Sequence, residues 1–244
     1  MGLTTACLLL ATSAGGALVK LGNLVLTADG GFTPRTLPRH RFAPISFNGH
    51  ADARETDGSI PPALQQVVLY FDRDGRLSTA GLPTCDPALL QEATVEEGRA
   101  RCKGAIVGTG HVEALIANPS GAPYDVKAAA TLFNGPVENG HPTAIFHTRT
   151  TVPATQNFVI VIPIERVAGG YRYRVTFDVP PIDFGRGSLV HVDVHIGRRY
   201  RFRGAERSYV SARCSDNVLS TRGRFTFAGD TVIEGSVEKA CTFR

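Results

Sequence analysis

Tryptophan is absent from the 244 residues, and lysine occurs only at Lys20, Lys103, Lys127 and Lys239. The core must therefore be built from the aliphatics and from phenylalanine, which occurs 13 times. Arginine carries almost all of the formal net charge of +4. That excess is too small to specify a nucleic acid or an anionic membrane surface. Signatures of chemistry are missing too. No C-x-x-C pair is present, which removes the usual spacing of structural zinc. No G-x-S-x-G elbow and no G-x-x-x-x-G-K-[ST] nucleotide loop occurs. Long helical periodicity, an interdomain linker and a fixed-period repeat are also lacking.

What is present begins with an apolar run, Ala6 to Ala11, continuing through small residues to Val19 before the first charge at Lys20. It is too short for a membrane span and suits the later part of a secretory signal. Residues 1–17 are expected to be removed near Ala17, where Gly15 and Ala17 are both small. The missing basic opening places the expected translation start upstream. Cleavage would remove Cys7 and leave Cys85, Cys102, Cys214 and Cys241. An even count in an exported chain predicts two disulfides. Of the three possible pairings, the local one, Cys85–Cys102 with Cys214–Cys241, is favoured.

From residue 18 onward, period-two alternation predicts about thirteen strands and turns about every ten residues. Leu24-Val25-Leu26 opens a strand expected to stop at Asp29-Gly30-Gly31, and Asn134-Gly135, Asn139-Gly140, Gly169-Gly170 and Ala228-Gly229-Asp230 supply the expected reversals. One segment departs from alternation: "DPALLQEATVEEGRAR", between Cys85 and Cys102, in which Thr94 and Glu97 have capping-box spacing. The expected architecture is all-β: a single-domain β-sandwich over 18–244, a jelly-roll-like double sheet, with one short disulfide-pinned helix.

"FDRDGRL", residues 71–77, has the look of a calcium loop, with Asp72, Asp74 and Gly75 in sequence. Tyr70 would hold the first ligand position and Gly81 the final bidentate one, so the oxygen shell fails. A turn leading to a short returning strand is expected instead. The stretches "VVLYFDRDGRLSTAGLPTC", "GAIVGTG", "RSYVSARC" and "EGSVEKAC" resemble a family of predicted exported bacterial proteins that carries no assigned function. The resemblance spans most of the mature chain. It implies secretion and a single unit, and implies no catalytic residue.

Two groups of side chains could carry chemistry. In "LVHVDVHIG", His191, Asp193 and His195 share one strand face, opposite Val190, Val192, Val194 and Ile196. The two histidines stand roughly 13 Å apart at about 3.3 Å per residue, so one metal would need ligands from elsewhere. His147 is the candidate by residue type. In "GRRYRFRG", Arg199, Arg201 and Arg203 alternate with Tyr200 and Phe202, a pattern suited to binding an anion. With the aromatics turned inward, single-stranded nucleic acid is not the expected ligand. The glycines of "GAIVGTGH" lie within a strand and predict bulges or close packing rather than a phosphate cradle.

The expected function is a non-catalytic binding or structural module, secreted or associated with the cell envelope. No cofactor, nucleic acid or membrane span in the mature chain is expected. An anionic surface polymer or an envelope protein would be its partner. The alternative is a secreted hydrolase or metal-dependent enzyme using a divalent metal on the His191, Asp193 and His195 face.

Overall fold

Alternating apolar and polar side chains turn most of this chain into strands. The computed structural model describes residues 16–243. Of the expected signal segment, only Gly16 and Ala17 fall among them. In chain order the first strands are β1 (Ala17–Leu21), β2 (Leu24–Thr33), β3 (Thr36–Leu37), β4 (Ala43–Pro44) and β5 (Ser46–Glu55). Then come β6 (Leu64–Asp72), β7 (Gly75–Leu77), β8 (Ile106–Ile116), β9 (Tyr124–Glu138), β10 (His141–Thr150), β11 (Gln156–Arg166) and β12 (Tyr171–Asp178). The last are β13 (Gly187–Ile196), β14 (Arg199–Phe202), β15 (Ala205–Ser208), β16 (Val210–Ala212), β17 (Val218–Phe227), β18 (Thr231–Ala240) and β19 (Thr242–Phe243).

Twelve strands form one sheet, ordered β1-β2-β5-β13-β8-β9-β10-β11-β12-β6-β17-β18. Its ends come together: a Cβ at Gly235 in β18 would lie 3.3 Å from that of Ala17 in β1. Lys239 of β18 also pairs with Asp29 of β2 at 2.6 Å. The sheet therefore curls so that its two halves face each other. Phe47 of β5 meets Phe71 of β6 edge-on, with ring centroids 6.1 Å apart. Leu24, Leu26 and Ala53 likewise pack with Phe227 and Ile233. The all-β expectation holds, and phenylalanines fill the core, Phe133 and Phe227 being completely buried. The jelly-roll detail gives way to a different connectivity. Strands β8 to β12 are sequential neighbours, an up-and-down run rather than paired Greek keys.

The expected helix is present as α1 (Val95–Arg101), shorter than an isolated helix could be. Thr94 Oγ1 accepts from the Glu97 amide at 3.2 Å and Glu97 Oε2 from the Thr94 amide at 2.8 Å. Cys85–Cys102 staples this segment over β9 and β10, packing Leu90 and Ala105 on Phe133 and Ile145. Cys214–Cys241 is the second bridge, so the local pairing is the one formed.

An expected strand end and an expected turn are both continued as strand. Gly30 and Gly31 continue β2 opposite Gly49 and Asn48. A Cβ on Gly30 would stand 2.7 Å from the Asn48 carbonyl, so the glycine serves close approach of strands. Asn134 and Gly135 likewise continue β9, because buried Asn134 donates from Nδ2 to the Pro83 carbonyl at 3.0 Å. The real reversal comes at Asn139 and Gly140, both with positive φ.

Candidate functional site

The central strand of the candidate site is β13, flanked by β5 and β8. His191 stands opposite Asp52 of β5 and Glu113 of β8. Two residues on, Asp193 stands opposite His50 and His111, and His50 in turn opposite Asp29. Directly opposed residues share a sheet face, so imidazoles and carboxylates alternate across four strands. The contacts follow the register. His191 Nδ1 lies 2.7 Å from Asp52 Oδ1, and its Nε2 lies 3.5 Å from Asp193 Oδ2. His111 Nδ1 reaches the same Asp193 oxygen at 3.5 Å.

This arrangement sets the charge of the face. Partial burial pulls the His191 pKa down, but the hydrogen bond and charge of Asp52 outweigh it, with Glu113 and Asp193 adding to the effect, and raise it above 6.5. Asp29 is partly desolvated, which raises its pKa. The hydrogen bond from Lys239, the Gly30 amide and the Lys239 charge overcome that and lower it.

His195 and His147 are not brought together. They belong to one row, His195–Thr109–Thr131–His147, running across β13, β8, β9 and β10. Three strand spacings of about 4.8 Å put them roughly 14 Å apart. His147 is completely buried. A Cβ on Gly98 of α1 would lie 2.9 Å from its Nδ1, so it sits beneath the helix, with Nε2 3.1 Å from Asn157 Oδ1. Burial pushes its pKa down and keeps it neutral. Among the described residues, no group of three or more His, Cys, Asp or Glu side chains is arranged to hold a metal ion.

His195 edges a shallow depression of about 190 Å³ with Ile106, Val107, Gly108, Thr109, Gly197 and Arg198; His191 and Asp193 do not line it. That volume falls below the roughly 300–1,000 Å³ of ordinary ligand pockets. The "GAIVGTGH" glycines are in-strand, as expected: a Cβ on Gly110 would lie 2.1 Å from the Asp193 carbonyl oxygen.

Arg199 and Arg201 project from one exposed face of β14, which pairs with β15. Arg203 falls in the turn with φ 51°, its guanidinium 5.2 Å over Phe202, so it does not continue their row. Tyr200 faces inward and donates to the carbonyls of Ser78 and Ala80 at 3.2 and 3.0 Å.

The "FDRDGRL" turn is structural. Asp72 accepts from the Asp74 amide on Oδ1, and from the Ser220 amide and hydroxyl on Oδ2, at 2.8, 2.9 and 3.1 Å. Asp74 is completely buried and accepts from Arg213 Nε at 2.7 Å and the Ser215 amide at 2.8 Å. All four carboxylate oxygens have protein donors. The strand that follows, β7, pairs with β16 and not with β6, so the turn does not close a hairpin.

His50, Asp52, His111 and Glu113 were missed as members of this face. Their signal lies in "NGHADARE" and "GTGHVE", where polar residues alternate with small and apolar ones. The fold and face define a disulfide-bonded all-β protein with an imidazole–carboxylate sheet surface. No protein family matches the chain, and neither a curated protein nor a solved structure matches it.

Proposed function

We infer that this is a non-catalytic binding or structural module, exported and either secreted or held at the cell envelope. One observation carries the reading: His191, Asp193 and His195 project from a continuous run of paired strands, and His191 and Asp193 are engaged with each other and with their neighbours. A catalytic imidazole or metal ligand needs an open coordination or proton-transfer position aimed at substrate. On His191 both ring nitrogens face carboxylates, Nδ1 at 2.7 Å from Asp52 and Nε2 at 3.5 Å from Asp193. Two disulfides agree with an oxidising compartment. The resemblance to exported bacterial proteins belongs to the same reading. Among the described residues, no helix is long and apolar enough to cross a membrane.

The test is native mass spectrometry of protein recovered from an exporting, oxidising host, alongside the double variant H191A/H195A. The expected mass corresponds to cleavage near Ala17 and two disulfides with nothing bound, and at pH 8 the variant melts close to the parent. A stoichiometric metal that disappears from the variant, together with a large fall in melting temperature, would replace this reading with the metal-dependent enzyme.

A further inference from the structure

Away from β13 in the strand order, the turn after β6 lies against the turn between β11 and β12: the Arg73 amide donates to the Gly170 carbonyl at 3.1 Å. Between them is a depression of about 240 Å³ lined by Arg73, Arg166, Val167, Gly169, Tyr171 and Arg172. Three arginines line one small space, and the side chain of each has a neighbouring contact. Arg172 donates from Nε to the Arg73 carbonyl at 2.7 Å and lies 5.3 Å over the Phe42 ring. Arg166 lies 5.9 Å over Tyr173. Arg73 reaches Asp216 at 2.9 Å.

Two further arginines deepen the positive field. Arg76 and Arg213 lie 5.6 and 5.3 Å from the same Phe42 ring. Five arginines thus gather around three carboxylates, Asp72, Asp74 and Asp216, an excess of two charges. Those carboxylates are occupied: Asp72 by Ser220, Asp74 by Arg213 and Ser215, Asp216 by Arg73. Among the described residues, no carboxylate is within ion-pair reach of Arg166 or Arg172. Like charges held together in this way repel unless an anion joins them. A cation–π contact restrains a guanidinium while leaving N–H donors for a ligand.

We propose that this depression binds a tetrahedral oxyanion of two charges, a phosphate group either free or as the monoester of a glycan. A single carboxylate would cancel half of the excess. A dianion cancels all of it and offers separate oxygens to several guanidinium forks. The volume is small for a whole apolar ligand and suits a charged group with the rest of the molecule in solvent. The site shares no residue with the histidine face, so its failure and the failure of the proposed function are separately visible.

The probes are inorganic phosphate and glucose 6-phosphate, each titrated calorimetrically into the full protein at constant ionic strength. The parent is expected to bind one anion per chain. R166E, at an exposed position outside the hydrogen-bond network, weakens binding at least about tenfold, or ~1.4 kcal/mol. R201E, the same charge change on β14, which does not line the depression, leaves it within about twofold of the parent, under ~0.5 kcal/mol. Tighter binding of glucose 6-phosphate identifies the ester as ligand; equal or weaker binding identifies the free ion. Equal weakening by R166E and R201E overturns the site in favour of general attraction to a basic surface. The absence of saturable binding of both probes by the parent overturns it as well.

Discussion

His191 Nδ1 lies 2.7 Å from Asp52 Oδ1 on the neighbouring strand, while Nε2 of the same ring faces Asp193 at 3.5 Å. The imidazole is held between two carboxylates, with Glu113 opposite it on β8 and His111 sharing Asp193. The protonated ring is therefore the form that the folded protein stabilises, despite partial burial. Its stabilisation is fully present below the ordinary value of 6.5 and is lost as pH rises through the higher folded value. The difference in melting temperature between the parent and H191Q is expected to be larger at pH 5.5 than at pH 8. An NMR titration should place the His191 midpoint above 6.5. A midpoint at or below that value refutes the pairing.

Asp74 ties the turn after β6 to the segment entering β17. Replacing it by Ala leaves Arg213 and the Ser215 amide without their acceptor and is expected to cost about 3 kcal/mol, read by urea denaturation. Burial raises the Asp74 pKa, but the hydrogen bonds from Ser215 and Arg213 and the Arg213 charge overcome it and hold it below 3.8. The contribution is present above that value and disappears as pH falls through the folded one. Because every oxygen of Asp72 and Asp74 already has a donor, millimolar calcium should leave the melting temperature unchanged. A clear rise would mean that the turn opens to accept the ion.

The two bridges should behave differently when removed. C85A/C102A and C214A/C241A open loops with sequence separations of 17 and 27. Each is expected to cost about 3 kcal/mol through the unfolded chain, the second slightly more. Only the first should also expose α1. Hydrogen exchange over residues 95–101 is then expected to quicken well before the sheet opens, since so short a helix keeps its structure only by packing. Equal protection of α1 with and without Cys85–Cys102 would count against that role.

At Gly110 of β8 the β13 backbone leaves no room for a side chain. An alanine Cβ there would stand 2.1 Å from the Asp193 carbonyl oxygen, so the two strands would have to part. G110A is expected to lose about 2–3 kcal/mol by overpacking. It should also shift the His191 titration toward 6.5 as Asp193 moves away. Loss of stability with an unmoved titration would show that the strain is absorbed elsewhere.

Local features were legible because they depend on neighbours in sequence. The Thr94–Glu97 capping box, the Asn139-Gly140 reversal and the nearer cysteine pairs all fall in this class. Asn134-Gly135 and Asp29-Gly30-Gly31 misled because a glycine that allows a turn also allows two backbones to touch. The face of His191, Asp193 and His195 could be read from alternation within one strand. Its partners could not: Asp52 and His191 are 139 residues apart, and only the register of β5 on β13 joins them. The arginine depression escaped for the same reason, since Arg73 and Arg172 come from segments 99 residues apart.

Strand β6, Leu64–Asp72, has its ladder partners in β12 and β17, which begin at Tyr171 and Val218. No N-terminal portion of the chain ending before Tyr171 contains either partner. The sheet cannot be finished from the front as the polypeptide emerges. Such dependence on distant pairings slows closure, and it keeps an incomplete chain from locking prematurely. On the export route proposed above, that delay would keep the chain threadable until its last strands arrive.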